Sequence, residues 1–494
     1  MGWIVTLKIV TFTSQITSSR SPRDVAEGRN LLLVFSVTRD TPYFFMRTWA
    51  VVLVAAAAAH AMAPTAIASA PTGNRLLLGM DAFAAGELDT AAQHFQHVTM
   101  QSSGNDATVA FQQLALCRMS QGRYRDAAKA IHDAIDNMSD ESDDWESAHL
   151  TLGRVYEHMG HGADAASALL QIQPLPSAGK LMLGNIMSDS FGDVTTALKL
   201  YEDVCDDEEA ADTTAFWLCG VACSAEGDHE RAATCFARAA DLAAPEGDSD
   251  VELQQLILAE RSGALSTDES VRGRLRAALP GHVLRSWEYV RQARSQQAAA
   301  AALTFDRALY SFTFDMVQLA VQNAWVEGLV LEFGVFHGKS VRMLAQAYPD
   351  QPIHGFDTFS GLPIPWHDES EGSYSTHGEL PAAPSNVEYH KGTFDETLPG
   401  FLEAHEGAIK FMNVDCDLYE STRDIFDQVH SRVVVGTVMV FDEYVMNEHW
   451  EDDEFKAFQE AVKDHGWEYE YLGVSLVSKQ AVVRITGVRD CAGA

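Results

Sequence analysis

The sequence predicts two folded parts, an α-helical solenoid of short repeats followed by an α/β domain with a mostly parallel sheet. Three observations carry this expectation. Glycines recur at Gly86, Gly122, Gly160, Gly192 and Gly227, separated by 36, 38, 32 and 35 residues. Near residue 329 the apolar period changes from helical to short runs of strand length. Several of those runs close on an acid, as strands of parallel sheets do where they open into a binding crevice. The chain has 494 residues, enough for two or three domains, with 35 Lys and Arg against 70 Asp and Glu, a formal charge of −35. Such a surface repels phosphate backbones, so nucleic acids and anionic membranes are excluded as principal partners. Seven scattered cysteines, an odd number without a C-x-x-C pair, are no disulfide framework.

The first 45 residues show no sustained period. After Met46 come Arg47, an apolar run from Trp49 to Ala59, and small residues around Ala59-His60-Ala61 and Ala68-Ser69-Ala70. That is the order of a secretory signal, with Met46 as the expected start. The run is short for a membrane span of about 20 residues, so no stable span is expected in the mature chain. With a signal over 46–70 the protein enters the secretory pathway or an organelle; without one it is cytoplasmic.

Around each recurring glycine the same side-chain types return. Leu78-Gly79, Ala91 and Phe95 make the first set, and Leu114-Ala115, Ala127 and Ile131 the second. Leu152-Gly153 with Tyr156, Ala165 and Leu169 make the third, Ala197 and Tyr201 a weaker fourth, and Cys219-Gly220, Ala232 and Phe236 a fifth. The pattern resembles the tetratricopeptide repeat, whose period is about 34 residues. Such an array serves as a spacer, a self-association module or a partner-binding surface. Cys219 and Cys223 stand i, i+4 and read as buried thiols, since no matching metal ligand is adjacent in the sequence. The acidic clusters 140–144 and 206–209 read as solvated turns between repeats. Residues 245–325 look helical but off-period and serve as a connector.

The apolar run Leu329-Val330-Leu331 leads into Glu332-Phe333-Gly334-Val335-Phe336-His337-Gly338-Lys339-Ser340, and a helix follows over 341–347. A strand, a glycine turn and a helix start present backbone N–H groups to a cofactor. A dinucleotide loop needs G-x-G-x-x-G, which is absent. A P-loop needs one more residue between Gly334 and Gly338-Lys339-Ser340, although Val438 to Glu443 imitates the magnesium-holding strand of such NTPases. The spacing E-x-G-x-x-x-G fits without insertion and resembles motif I of class I S-adenosylmethionine-dependent methyltransferases. Ile353 to Asp357 reads as the second strand, and an acid 25 residues after Glu332 is placed to accept from ribose hydroxyls. A helix cap is the plainer reading of the same acid.

The run Ile409 to Val414 ends in Asp415-Cys416-Asp417-Leu418-Tyr419-Glu420-Ser421-Thr422, and a strand expected over 433–441 ends in Asp442-Glu443-Tyr444. Converging carboxylates repel unless protons or a cation intervene, and oxygen-only donors suit magnesium or manganese. Together with Gly355 to Pro363 and Gly392-Thr393-Phe394-Asp395-Glu396-Thr397-Leu398-Pro399, these motifs resemble, in order, the macrocin O-methyltransferase-like family over residues 305–487. The resemblance implies S-adenosylmethionine as cofactor, with a divalent cation such as Mg2+ where the site is complete, and sugar hydroxyls as acceptors. It places Glu332, Gly334, Phe336, Gly338, Ser340, Asp357, Thr358, Gly392 and Thr393 at the cofactor. It makes Asp415, Asp442 and Glu443 the metal ligands and Asp417 the general base. Glu443 stands where metal-using members usually carry Asp.

The segment from Pro363 to Pro384, with Trp366, Tyr374 and His377, reads as an acceptor lid. The expected division is a leader over 1–72, five repeats over 73–245, a connector over 246–304, a Rossmann-like class I methyltransferase domain over 305–488 and a tail over 489–494. The expected activity is O-methylation of a glycan or other hydroxylated small molecule. The rivals are a scaffold carrying a vestigial methyltransferase fold and, more distantly, a P-loop NTPase.

Overall fold

A computed structural model of the chain describes residues 8–10, 32–34, 71–138, 144–207, 213–242, 281–297, 308–309 and 311–489. The expected signal over 46–70, most of the connector and the end of the tail lie outside these residues. The chain divides into two compact units, 1–63 and 64–494. The first holds a short antiparallel pair, β1 (Lys8–Val10) with β2 (Leu32–Val34), in a stretch whose sequence shows no strand signal.

The second unit begins with ten helices that pair as the glycine spacing requires. They are α1 (Pro71–Ala84), α2 (Leu88–Gln101), α3 (Asn105–Ser120), α4 (Tyr124–Asp136), α5 (Trp145–His158), α6 (Gly162–Leu169), α7 (Ser177–Phe191), α8 (Val194–Cys205), α9 (Thr213–Ala225) and α10 (His229–Leu242). Each turn glycine has a left-handed φ, between +61° at Gly160 and +85° at Gly227, which ends the first helix of its pair. The small residue one or two turns upstream lets the second helix approach. A Cβ on Gly79, Gly153 or Gly220 would come within 2.8 Å of Phe95, Leu169 or Phe236 respectively. The weak fourth set has the same device in Gly184, whose Cβ would meet Tyr201 at 2.3 Å. Gly184 precedes its turn glycine by eight residues where Gly79, Gly153 and Gly220 precede theirs by seven, so the alignment hides it.

After α11 (Gly281–Ser295) and α12 (Thr313–Asn323) comes the sheet: β3 (Leu329–Phe333), β4 (Ile353–Asp357), β5 (Val387–Lys391), β6 (Ile409–Val414), β7 (Val438–Phe441), β8 (Trp467–Val474) and β9 (Ala481–Val488). Its order is β5-β4-β3-β6-β7-β9-β8, with β3 to β7 parallel and β9 antiparallel to both of its neighbours. The helices between strands are α13 (Lys339–Ala347), α14 (Phe394–Ala404), α15 (Tyr419–Val429) and α16 (Glu454–Asp464).

Alternation sorts each strand's side chains onto two buried faces. Leu331, Phe333, Phe356, Met412, Val414 and Phe441 join one core with α11, α14, α15 and α16. Val330, Ile353, Phe411, Val438 and Val440 join the other with α12 and α13. The strand expected over 433–441 is shorter, because Gly436 turns there at φ +100° against Trp325 and Val326.

The crossed glycines make a stability prediction. Gly184→Ala should destabilise by about 1–3 kcal/mol through overpacking against Tyr201. Gly400→Ala, on α14 with open space around it, should be neutral or stabilise by about 0.5–1 kcal/mol. Urea unfolding of the two variants checks the contrast.

Candidate active site

The chain winds outward from β3 to β5 and then returns to β6 beside β3, so the crevice at the carboxyl ends of β3 and β6 is the switch point where parallel sheets bind ligands. Gly334 stands at that point with φ +86°. A Cβ there would lie 1.5 Å from the carbonyl oxygen of Asp415, so only glycine lets β6 end alongside the loop. Gly338, also left-handed at φ +76°, starts α13. Phe336 holds a left-handed φ of +48° without being glycine.

Asp357 closes β4 and ties the loop down. Its Oδ2 accepts from the N–H groups of Val335 and Phe336, each at 2.8 Å, and its Oδ1 accepts from Phe359 at 2.6 Å. Three of roughly four carboxylate acceptor positions are thus filled by backbone. The side chain thus shapes the loop in addition to any contact with a ribose.

Other expected cofactor residues also turn inward. Glu332 shares the face of Val330, is fully buried, and its Oε1 accepts from Ser340 Oγ at 2.7 Å. Burial pushes its carboxyl up to about 8. Glu332 and Ser340 thus bolt β3 to α13, while Glu332 Oε2 has no hydrogen-bond partner. Thr358 donates to the Gly361 carbonyl at 3.0 Å and Thr393 caps α14 in a capping box with Glu396, so their side chains serve their own turns. Gly392 donates its N–H to Asp357 O at 3.0 Å.

The lysine that would mark a P-loop is directed elsewhere. Lys339 forms an ion pair with Asp189 of α7 and does not point across the glycine loop. Arg342 spans the same junction, donating to His337 O at 2.8 Å, Met159 O at 3.0 Å and Gly160 O at 2.7 Å. Tyr124 of α4 packs edge-on against His337 at 5.4 Å, and Arg125 pairs with Glu379 at 2.7 Å. The repeats therefore brace both the glycine loop and the 363–384 segment. Burial drives His337 down to about 3, so its ring is neutral.

Beyond the glycine loop lies a pocket of acids from three elements. Asp415 and Asp417 follow β6, Asp442 and Glu443 follow β7, and Glu454 opens α16. Burial, then Asp442, Asp417 and Glu454, push Asp415 well above the usual carboxylate range. Burial followed by Glu443 and Asp442 does the same to Asp417, whose backbone is left-handed at φ +62°. Asp442, buried and next to Glu443, rises to about 6 although Gln480 donates to it at 2.6 Å. Glu454 was not foreseen. It is fully buried, its Oε1 accepts from the N–H groups of Cys416 at 3.1 Å and Asp417 at 3.3 Å, and its Oε2 has no hydrogen-bond partner. The run Glu451-Asp452-Asp453-Glu454 in the sequence reads only as an acidic helix start.

The acids fit a hard cation in chemistry but not yet in closure. Glu443, an expected ligand, is 3.4 Å from Lys479 and accepts from Asn447 at 3.3 Å. Among the described residues, the ligating triads with donor atoms within 4.8 Å of one another are Cys219, Cys223, Cys235 and His354, Glu388, His390. Asp415, Asp442 and Glu443 are not so gathered.

The 363–384 segment joins β4 to β5 as expected. Trp366 is buried with Leu362 and Leu418, Tyr374 is exposed and meets Phe336 edge-on at 6.1 Å, and His377 lies on a left-handed turn. His367, which the sequence did not single out, binds Asp453 through Nε2 at 2.8 Å and stacks on His449 at 4.0 Å.

Residues 331–444 match the family described as a methyltransferase domain. A curated relative from Streptomyces olivaceus, 8-demethyl-8-(2,3-dimethoxy-alpha-L-rhamnosyl)-tetracenomycin-C 4'-O-methyltransferase, is 26% identical over 182 residues, 31% of this chain and 65% of its own length. The match thus spans less than two thirds of that relative. Among solved structures, the calicheamicin methyltransferase CalS11 is 19% identical with TM-score 0.28, covering 42% of this chain and 93% of its own. The Pseudomonas aeruginosa protein PilF is 14% identical with TM-score 0.37, covering 44% and 96%.

The buried Glu332 gives a pH prediction. Its folded pKa lies above the ordinary value of 4.5, so its contribution to stability is full below pH 4.5 and is lost as pH rises towards 8. The melting temperature of Glu332→Gln should therefore fall less than that of the parent between pH 5 and pH 8.5, a range of about 3 to 4 units spanning both states. Parallel slopes in thermal scans would show that the carboxyl is not so placed. The glycine loop at the switch point and the strand order thus lie within a segment, residues 331–444, that matches the methyltransferase-domain family, and an array of paired helices precedes it.

Proposed function

We propose that the protein transfers the methyl group of S-adenosylmethionine to a hydroxyl of a sugar or a similarly hydroxylated small molecule. The observation that carries this reading is the juxtaposition of the Gly334–Gly338 loop with the acids following β6 and β7, at neighbouring strand ends of one sheet. Gly334 and Gly338 leave two positions of the loop without side chains, which suits close approach of the adenosyl end. Asp357 fixes the loop and keeps one acceptor position for the ribose.

Methyl transfer from a sulfonium is an in-line displacement. The carbon–oxygen bond forms as the carbon–sulfur bond breaks, with acceptor oxygen and methyl carbon starting about 3–3.5 Å apart. An alcohol is a weak nucleophile, so a base near the acceptor must take its proton. Asp417 is the proposed base, because it follows β6 beside Asp415 on a strained, left-handed backbone of the kind found at functional sites. Those of the acids that carry their charge repel anionic acceptors and favour neutral, hydroxyl-rich ones. A divalent cation would be held by Asp415 and Asp442, with Glu443 joining after release from Lys479, and would supply charge neutralisation at the acceptor oxygen. The 363–384 segment, braced by Arg125, is proposed to cover the acceptor. The repeats are proposed to bind a partner or to self-associate in addition to bracing the loop.

Isothermal calorimetry with S-adenosylmethionine, S-adenosylhomocysteine and ATP, each with and without Mg2+, tests the assignment. The two adenosyl ligands should bind and ATP should not; binding of ATP alone would overturn it. Asp357→Ala should weaken S-adenosylmethionine by at least about tenfold, since it removes charge-assisted hydrogen bonds worth about 1.5–3 kcal/mol. Asp415→Ala should leave that affinity within about threefold, below 1 kcal/mol, and abolish labelling of acceptor by methyl-labelled cofactor. Equal effects on binding would contradict the separation of roles.

A further inference from the structure

Four of the seven cysteines lie between residues 205 and 235, and the array folds them together. Cys219 and Cys223 occupy successive turns of α9, Cys235 faces them from α10, and Cys205 ends α8. The thiols of Cys219, Cys223 and Cys235 are buried and lie within 4.8 Å of one another, with Cys235 Sγ 3.3 Å from Cys219 Sγ. The Cys205 thiol interacts with that of Cys219 and is half-buried. The sequence reading kept Cys219 and Cys223 as inert thiols for want of neighbouring ligands. The missing ligands come from the adjacent helices, 14 residues before and 16 residues after Cys219.

We propose that Cys219, Cys223, Cys235 and Cys205 bind a thiophilic metal ion, with zinc as the ion of choice. A zinc–thiolate bond of about 2.3 Å puts tetrahedral sulfurs about 3.8 Å apart, a spacing comparable to that of the Cys219, Cys223 and Cys235 thiols, which lie within 4.8 Å of one another. Soft sulfur donors select zinc or copper(I) over magnesium, so this site is chemically distinct from the acids of the methyltransferase domain. Three or four thiolates around a divalent ion leave excess negative charge. Arg231, exposed near the start of α10, forms an ion pair with Glu202.

The position gives the ion a structural consequence. The thiols belong to a core that also contains Phe236, Phe312 and, at its edge, Val477, so it joins the last repeats to the segment entering α12 and to the loop after β8. A metal here would fasten α8, α9 and α10 together at the C-terminal end of the array.

The full chain, purified under reducing conditions without chelator, should contain about one zinc per molecule, counted by mass spectrometry of metals, and a mercurial thiol reagent should release it. Replacement by cobalt should give the intense visible bands of a tetrahedral thiolate site, and zinc should raise the melting temperature of metal-stripped protein. Cys219→Ser and Cys235→Ser should abolish stoichiometric uptake, whereas Cys117→Ser, a buried cysteine elsewhere in the array, should not. Should the first two variants fail to fold, cobalt spectra and mercurial release on the unaltered chain decide alone. Fully reduced, folded protein that takes up neither zinc nor cobalt would overturn the proposal, as would a disulfide accounting for two of the four thiols.

Discussion

The carboxylate of Asp357 is the fastening on which the candidate site depends. By accepting from Val335, Phe336 and Phe359 it joins the turns after β3 and β4, two strands whose own hydrogen bonds end just before them. Amides at a turn that are not satisfied cost about 1–3 kcal/mol each when buried, so an anionic acceptor here fixes the loop more firmly than a neutral one. With that loop fixed, Gly334 can pass against the Asp415 carbonyl, and Gly338 can start α13 in a left-handed conformation.

The repeats enter the same system mechanically. Lys339 and Arg342, on the first turn of α13, reach Asp189, Met159 and Gly160 in the array, while Arg125 reaches across to Glu379. These contacts attach to the glycine loop and to the segment between β4 and β5. A partner bound to the array would therefore act on elements that already touch the site.

The acid pocket illustrates how burial and function pull against one another. Asp415, Asp417, Asp442 and Glu454 each sit where loss of water and the charge of their neighbours favour the protonated form. A fold retains such an arrangement only where the surrounding sheet is stable enough to impose it. Here that stability comes from a sheet buried on both faces, with β3, β6 and β7 at its centre.

The sequence by itself determined whatever depends on local periodicity or on residues close in the chain. The five helix pairs follow from glycines that must turn and small residues that must let a neighbour in. The strands ending at Phe333, Asp357 and Val414 follow from short apolar runs, and the E-x-G-x-x-x-G turn follows from spacing. Only the tertiary structure decided which side chain each polar group faces. Glu332 turned to Ser340, Glu443 to Lys479, and Lys339 to a repeat 150 residues away. Glu454 entered the acid pocket, and Cys205 and Cys235 joined Cys219 and Cys223. The physical reason is that a hydrogen bond or a cluster of ligands is satisfied by proximity in space, whereas periodicity records only the face on which a residue emerges.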